Sequence, residues 1–199
     1  MDLSQPQAED AVSSNDRVGE KQRDREEESR HIMDDLKSGN YVLLLQETPK
    51  VKMSHCQAWH LSSKPKGKYY HVTCIERLLP NLADLVRDGH LQRDGYISAP
   101  LDSKVSFKSS GEMIADWFKY GGRTFNLGCY ENYDKNHREW EADWSGRWIE
   151  HQLGHGEQPD NACNFCQSLP IPEEPKKSDY FPEEPSAISL SHLLVSVIR

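Results

Sequence analysis

The chain has no long hydrophobic run. Nothing in it approaches the roughly 18 consecutive apolar residues of a membrane span, and its N-terminal stretch lacks the apolar segment of a secretory signal. These absences point to a nuclear or cytoplasmic protein, neither secreted nor membrane-bound. Apolar residues are scarce altogether, at 36% with a mean hydropathy of -0.82, against roughly 45–50% (glycine included) in an average soluble domain. Part of the 199 residues is therefore expected outside a core, and the length suits one domain with tails better than an enzyme with separate cofactor and substrate halves. HExxH, a glycine-rich phosphate loop and GxSxG are all missing, so enzyme activity is the weaker expectation. Excess positive charge is missing too. The 24 basic and 32 acidic residues leave a net charge of -8. Residues 1–40 hold 6 bases against 11 acids, whereas residues 41–170 hold 15 against 16. A purely electrostatic nucleic-acid binder would carry more positive charge than this.

What is present begins with five cysteines. In a reducing compartment these read as free thiols or metal ligands rather than disulfides. Cys56, Cys74, Cys163 and Cys166 all lie near histidines; Cys129 does not.

Along the chain, residues 1–38 show no apolar periodicity and read as a disordered or weakly helical acidic tail. Tyr41–Gln46, YVLLLQ, reads as a buried strand that opens a domain over 39–170. The segment 51–53 could add a short pairing element, and residues 57–72 suit an irregular hairpin turning at SSKPKGK. Thr73 with Glu76 suggests a capped helix that breaks near Pro80 and stops at Gly89. YISAP and KVSF read as extended, and Ser109 with Glu112 suggests a second capped helix. Residues 123–130 suit a strand, after which Asp134 is placed to cap a helix running to about Gln152. Residues 171–199 read as a Pro- and acid-rich linker ending in the apolar run LSHLLVSVIR. That run is expected either as a strand joining the main sheet or as an interaction segment.

Two Cys/His sets carry the chemistry. The first, Cys56-x3-His60-x10-His71-x2-Cys74, places four good zinc ligands on two arms of the proposed hairpin. His71 and Cys74 straddle a strand-to-helix transition, so a tetrahedral ion could clamp hairpin to helix. This arrangement resembles the treble-clef kind of zinc module over about residues 51–88. The resemblance implies a structural zinc, although Cys-x3-His departs from the usual Cys-x2-Cys knuckle and His55 is the substitute for His60. The second set, His151-x3-His155-x7-Cys163-x2-Cys166, joins two histidines on one helix face to a cysteine knuckle. A long-range alternative groups His71, Cys74, Cys163 and Cys166 around one ion. One or two structural Zn2+ are expected.

Trp140, Trp144 and Trp148 recur at helical spacing and read first as core, with a stacking surface as the alternative because Arg123, Arg138 and Arg147 lie in the same region. Cys129 with His137, and the acids around Asp134, are the only enzymatic constellations to weigh. The expected protein is a mixed α+β, zinc-stabilised module with a partial treble-clef-like segment and acidic flexible tails. Its expected function is macromolecular recognition, with a protein partner preferred over single-stranded nucleic acid and a small metal-dependent or Cys/His hydrolase as a further alternative. Its oligomeric state is open.

Overall fold

The computed structural model describes residues 13–47, 59–64, 67–100, 102–155 and 173–198. It is a mixed helix and sheet protein of α+β class, in which the chain forms two compact units, Met1–Asp94 and Gly95–Arg199. The segment expected as one domain, 39–170, is shared between them.

In the first unit, helix α1 (Ser13–Lys37) precedes strands β1 (Val42–Glu47), β2 (Trp59–Lys64) and β3 (Lys68–Tyr70). Helices α2 (Val72–Leu78) and α3 (Leu82–Arg87) then lead to β4 (Leu91–Arg93). The sheet order is β3-β2-β1-β4. β1 is central because Leu43, Leu44 and Leu45 are all buried, as expected of a strand covered on both faces. It pairs antiparallel with β2 and parallel with β4. The expected hairpin is β2–β3, turning through Gly67 at φ 63°. The break at Pro80 is also present: α2 ends two residues before it and α3 starts two residues after it. Val72, Ile75, Leu79, Leu82 and Leu85 face inward. The Thr73 capping box does not form, since His71 is the N-cap and no side chain caps this end.

α1 is rich in the long straight side chains that favour helix. Although the sequence reading left residues 1–38 outside the core, Ile32 and Leu36, four residues apart on one face, are buried. The Ser29 hydroxyl also donates to the Leu78 carbonyl at 2.7 Å. Gly39, at φ 73°, accepts the left-handed turn that ends the helix.

The second unit is built on α4 (Phe107–Lys119) and the 29-residue α5 (Leu127–His155), with β5 (Arg123–Thr124) between them and β6 (Ser186–Ala187) and α6 (Leu190–Ser196) after. α4 starts three residues earlier than the Ser109 box would place it. Ser106 is the cap, its Oγ accepting from the Ser109 N–H. α5 starts at Leu127, so residues expected as strand are its first turn and Asp134 lies inside the helix. There it is not a cap: its side chain is 5% exposed and ion-paired with Lys108 at 3.1 Å and Arg138 at 2.9 Å.

The C-terminal apolar run is a helix, not a strand. Leu190, Leu193, Leu194 and Val197 are all buried, and their i, i+3, i+4, i+7 spacing is the helical period. Residues 173–198 pack into this unit: Phe181 meets Tyr130 and Phe125 at ring separations of 4.9 and 5.1 Å, and Trp117 Nε1 donates to the Ile188 carbonyl at 2.9 Å.

Tyr130 is a buried phenol that donates to Asp116 Oδ2 at 2.8 Å and stands 3.0 Å from Thr124 Oγ1. Burial pushes its pKa well above the ordinary phenol value; the neighbouring Asp116 carboxylate adds to the rise and the Thr124 hydrogen bond opposes it. A raised pKa contributes stability below pH ~10 that is lost as pH climbs toward the folded-state value. Tyr130→Phe should therefore be less stable at pH 7, by about 1–3 kcal/mol for the abandoned partners, and should show a shallower alkaline loss. Thermal melts from neutral to strongly alkaline pH check this. Identical alkaline slopes in the two proteins would contradict it.

Candidate metal centre and aromatic stripe

His71 leaves β3 with extended backbone, φ -66° and ψ 140°, and its carbonyl accepts the N–H groups of Cys74 and Ile75, both at 3.0 Å. Because Val72 and Ile75 turn inward, the side chains of His71 and Cys74 are left on the outer face, both exposed. Cys74 Sγ stands 3.9 Å from His71 Nδ1. Two ligands of a tetrahedral zinc, with bonds near 2.3 Å to sulfur and 2.0 Å to nitrogen, stand about 3.6 Å apart. The pair is within a few tenths of an ångström of that separation.

The hairpin register adds a third position. Leu61 is paired with Tyr70, the last pair of the hairpin register, and residues 60 and 71 are the next along each arm. His60 is the β2 residue paired with Gln46 on its other side. The structure thus brings positions 60, 71 and 74 to one end of the hairpin. Cys56 lies outside the described residues, as do His55 and the 51–53 segment.

Of the second set, His151 is buried on α5, its ring stacked on Trp148 at 5.8 Å and 16°. His155 is the last residue of the same helix. Cys163 and Cys166 lie outside the described residues. Among the described residues, no group of three or more His, Cys, Asp or Glu side chains is arranged to hold a metal ion.

The other polar candidates are already engaged. His137 Nε2 stands 3.3 Å from Glu174 Oε1. Glu139 pairs with Lys135, and Asp143 with Arg147. With Asp134 held by Lys108 and Arg138, these carboxylates do not converge on one point. Cys129 and His137 lie eight residues apart on α5, about 12 Å of helix rise. That is far beyond the roughly 3 Å that proton transfer between nucleophile and base requires.

The tryptophans belong to a longer feature than their own spacing suggests. Tyr133, His137, Trp140, Trp144, Trp148 and His151 follow one face of α5. Successive rings are 5.6 Å apart from Tyr133 to His137 and from His137 to Trp140, and Trp140 and Trp144 stack at 6.4 Å and 5°. The stripe begins half-buried, where Tyr133 meets Tyr180 and Phe181, and is most open at Trp148. Trp140 and Trp144 are half-buried and Trp148 is 46% exposed. The nearby Ile149 and Leu153 are exposed as well. None of the three tryptophans expected as core is fully buried; among the described residues the fully buried indole is Trp117. The tyrosine and histidines were legible at the same three- and four-residue spacing, which the tryptophans alone obscured.

The arginines beside the stripe are bound to carboxylates or backbone. Arg147 meets Asp143 at 3.1 Å and Arg138 meets Asp134, while Arg123 donates to the Pro185 carbonyl and pairs with Glu184 at 3.7 Å.

Among the described residues no helix is long and apolar enough to cross a membrane. Comparison with known proteins found no matching family model, no matching curated protein and no matching solved structure.

Proposed function

We propose that this protein is a zinc-stabilised intracellular recognition module whose partner is another protein. The observation that carries the proposal is the α5 stripe: stacked, partly open indoles beside arginines already neutralised by acids. Large rigid aromatics are the side chains that most often anchor protein interfaces. Single-stranded nucleic acid would need cations as well as stacking platforms, and Arg138 and Arg147 are both held in ion pairs along the helix.

In this reading zinc is structural. Cys56, His60, His71 and Cys74 would close a first site that ties hairpin to helix, and His151, His155, Cys163 and Cys166 would close a second at the end of α5. A closed set of four ligands leaves no open position for catalysis. The 3.9 Å separation of His71 and Cys74 supports the first site. So does the shortness of β3, three residues, and α2, seven residues, because elements of this length have little stability of their own.

Capture of partners from a nuclease-treated lysate, compared between the native protein and Trp144→Ala/Trp148→Ala, tests the proposal. A protein retained by the native chain and weakened at least tenfold by the double variant is the expected result, in line with losses of about 2 kcal/mol at aromatic anchors. Fluorescence anisotropy with labelled single-stranded DNA and RNA at two salt concentrations supplies the opposing outcome. Tight, strongly salt-dependent binding that is lost when Arg138 and Arg147 are replaced would overturn the protein partner in favour of nucleic acid.

A further inference from the structure

The first unit contains a groove of about 460 Å³ between α1 and one face of the sheet. Its floor is a cross-strand row, Leu43 of β1 opposite Ser63 of β2 opposite Lys68 of β3. Ile32 and Leu36 of α1 deepen it with apolar surface, and the half-buried rings of Tyr41 and Tyr70 border it. The helix wall is acidic: Asp24, Glu27, Glu28 and Asp35 line it, with Lys68 the single lysine or arginine in the lining.

The charge on that wall is unbalanced. Asp24 and Glu28 are four residues apart on one helix face, a like-charge spacing that costs a helix a few tenths of a kcal/mol. Among the described residues neither carboxylate has a cation partner. Glu27 faces only His31, at 3.6 Å. A sequence free to choose at these exposed positions would gain by alternating the sign; here the acids gather where the helix overlooks an apolar, tyrosine-bordered trough.

From this combination we infer that the groove docks a lysine- or arginine-rich peptide segment of a partner protein. Such side chains lay an aliphatic stem on apolar surface while the charged head reaches carboxylates or an aromatic face. Alternate residues of an extended segment point to one side, so two or more basic side chains can reach the wall together. The inference uses no residue of α5 and no zinc ligand, and it stands or falls apart from the function proposed above.

The test uses the full chain, a fluorescein-labelled peptide of alternating lysine and alanine, and the same peptide with glutamate for lysine, followed by anisotropy at low and moderate salt. The lysine peptide binds and the glutamate peptide does not. Asp24→Asn/Glu28→Gln weakens binding at least tenfold, and Tyr70→Leu weakens it several-fold, most visibly at the higher salt. Both acids are exposed, so the double variant keeps its fold, which circular dichroism verifies. Glu150→Gln/Glu183→Gln, which removes equal charge from exposed sites in the second unit, changes affinity less than twofold. Absence of binding by the lysine peptide would overturn the inference. So would an equal loss in the two double variants, which would make the attraction a property of net charge alone.

Discussion

Trp117→Ala is expected to lower the stability of the second unit by about 3–5 kcal/mol, the range for emptying a buried tryptophan site. Trp117 is 1% exposed and lies among Met113, Ile114 and the α6 leucines in the buried set of this unit. It also does something that an aliphatic residue could not, because its indole N–H satisfies the Ile188 carbonyl just before the Ser189 cap of α6. Deleting it opens a cavity and abandons that carbonyl, so the C-terminal segment should loosen first. Trp117→Phe separates the two effects: it keeps most of the volume and loses the hydrogen bond, costing about 1–3 kcal/mol. Urea denaturation gives the total, and amide exchange at residues 186–198 gives the location. A loss below 1 kcal/mol for the alanine variant, or exchange unchanged in α6, would contradict this account of how the C-terminal segment is held.

The second large effect is on the first unit. If zinc bridges the end of the β2–β3 hairpin to the start of α2, then removing it with a strong chelator, or replacing Cys74 with serine, should take away the binding energy that acts there as folding energy. A native-state ligand present at a thousand times its Kd stabilises by about 4 kcal/mol, so a shift of that order is expected in the unfolding of this unit. In Cys74→Ser, which leaves the second site intact, amide protection should collapse around residues 59–79 while the second unit melts as before. Cys163→Ser distinguishes the groupings of ligands. With two local sites it releases one ion and leaves the Cys74 site filled; with the long-range site built on His71, Cys74, Cys163 and Cys166 it releases all metal.

Local signals made much of the first unit legible. The YVLLLQ run at 41–46 became the central strand because continuous apolar sequence suits a strand covered on both faces, and the polar segment 62–68 marked the hairpin, although residues 62–64 and Lys68 belong to its strands rather than to the turn. Proline chemistry located the break between α2 and α3. The packing of α1 was hidden because Val18, Ile32, Met33 and Leu36 are its only apolar residues among charged helix formers, too few for a periodic signal. The C-terminal run was ambiguous in the ordinary way, since a short apolar segment reads equally as strand or helix until its period is counted. The capping boxes at Thr73 and Ser109 and the single cap expected at Asp134 misled because each residue lay inside a helix that had already begun. In the candidate site, spacing alone drew attention to His71 and Cys74, and local geometry explains why: the inward turn of Val72 and Ile75 leaves His71 and Cys74, three residues apart, both exposed. Whether a histidine ring stacks on an indole, as His151 does on Trp148, depends on side-chain packing that no spacing rule contains.

The most direct test of the zinc-stabilised module is the metal content of protein purified without added zinc, measured together with zinc-edge X-ray absorption on the native chain and on Cys74→Ser. The account predicts one or two equivalents of zinc, four-coordinate with mixed sulfur and nitrogen ligands, and loss of at least one equivalent in the variant. A fully folded native protein that contains no zinc and binds its partner would contradict it.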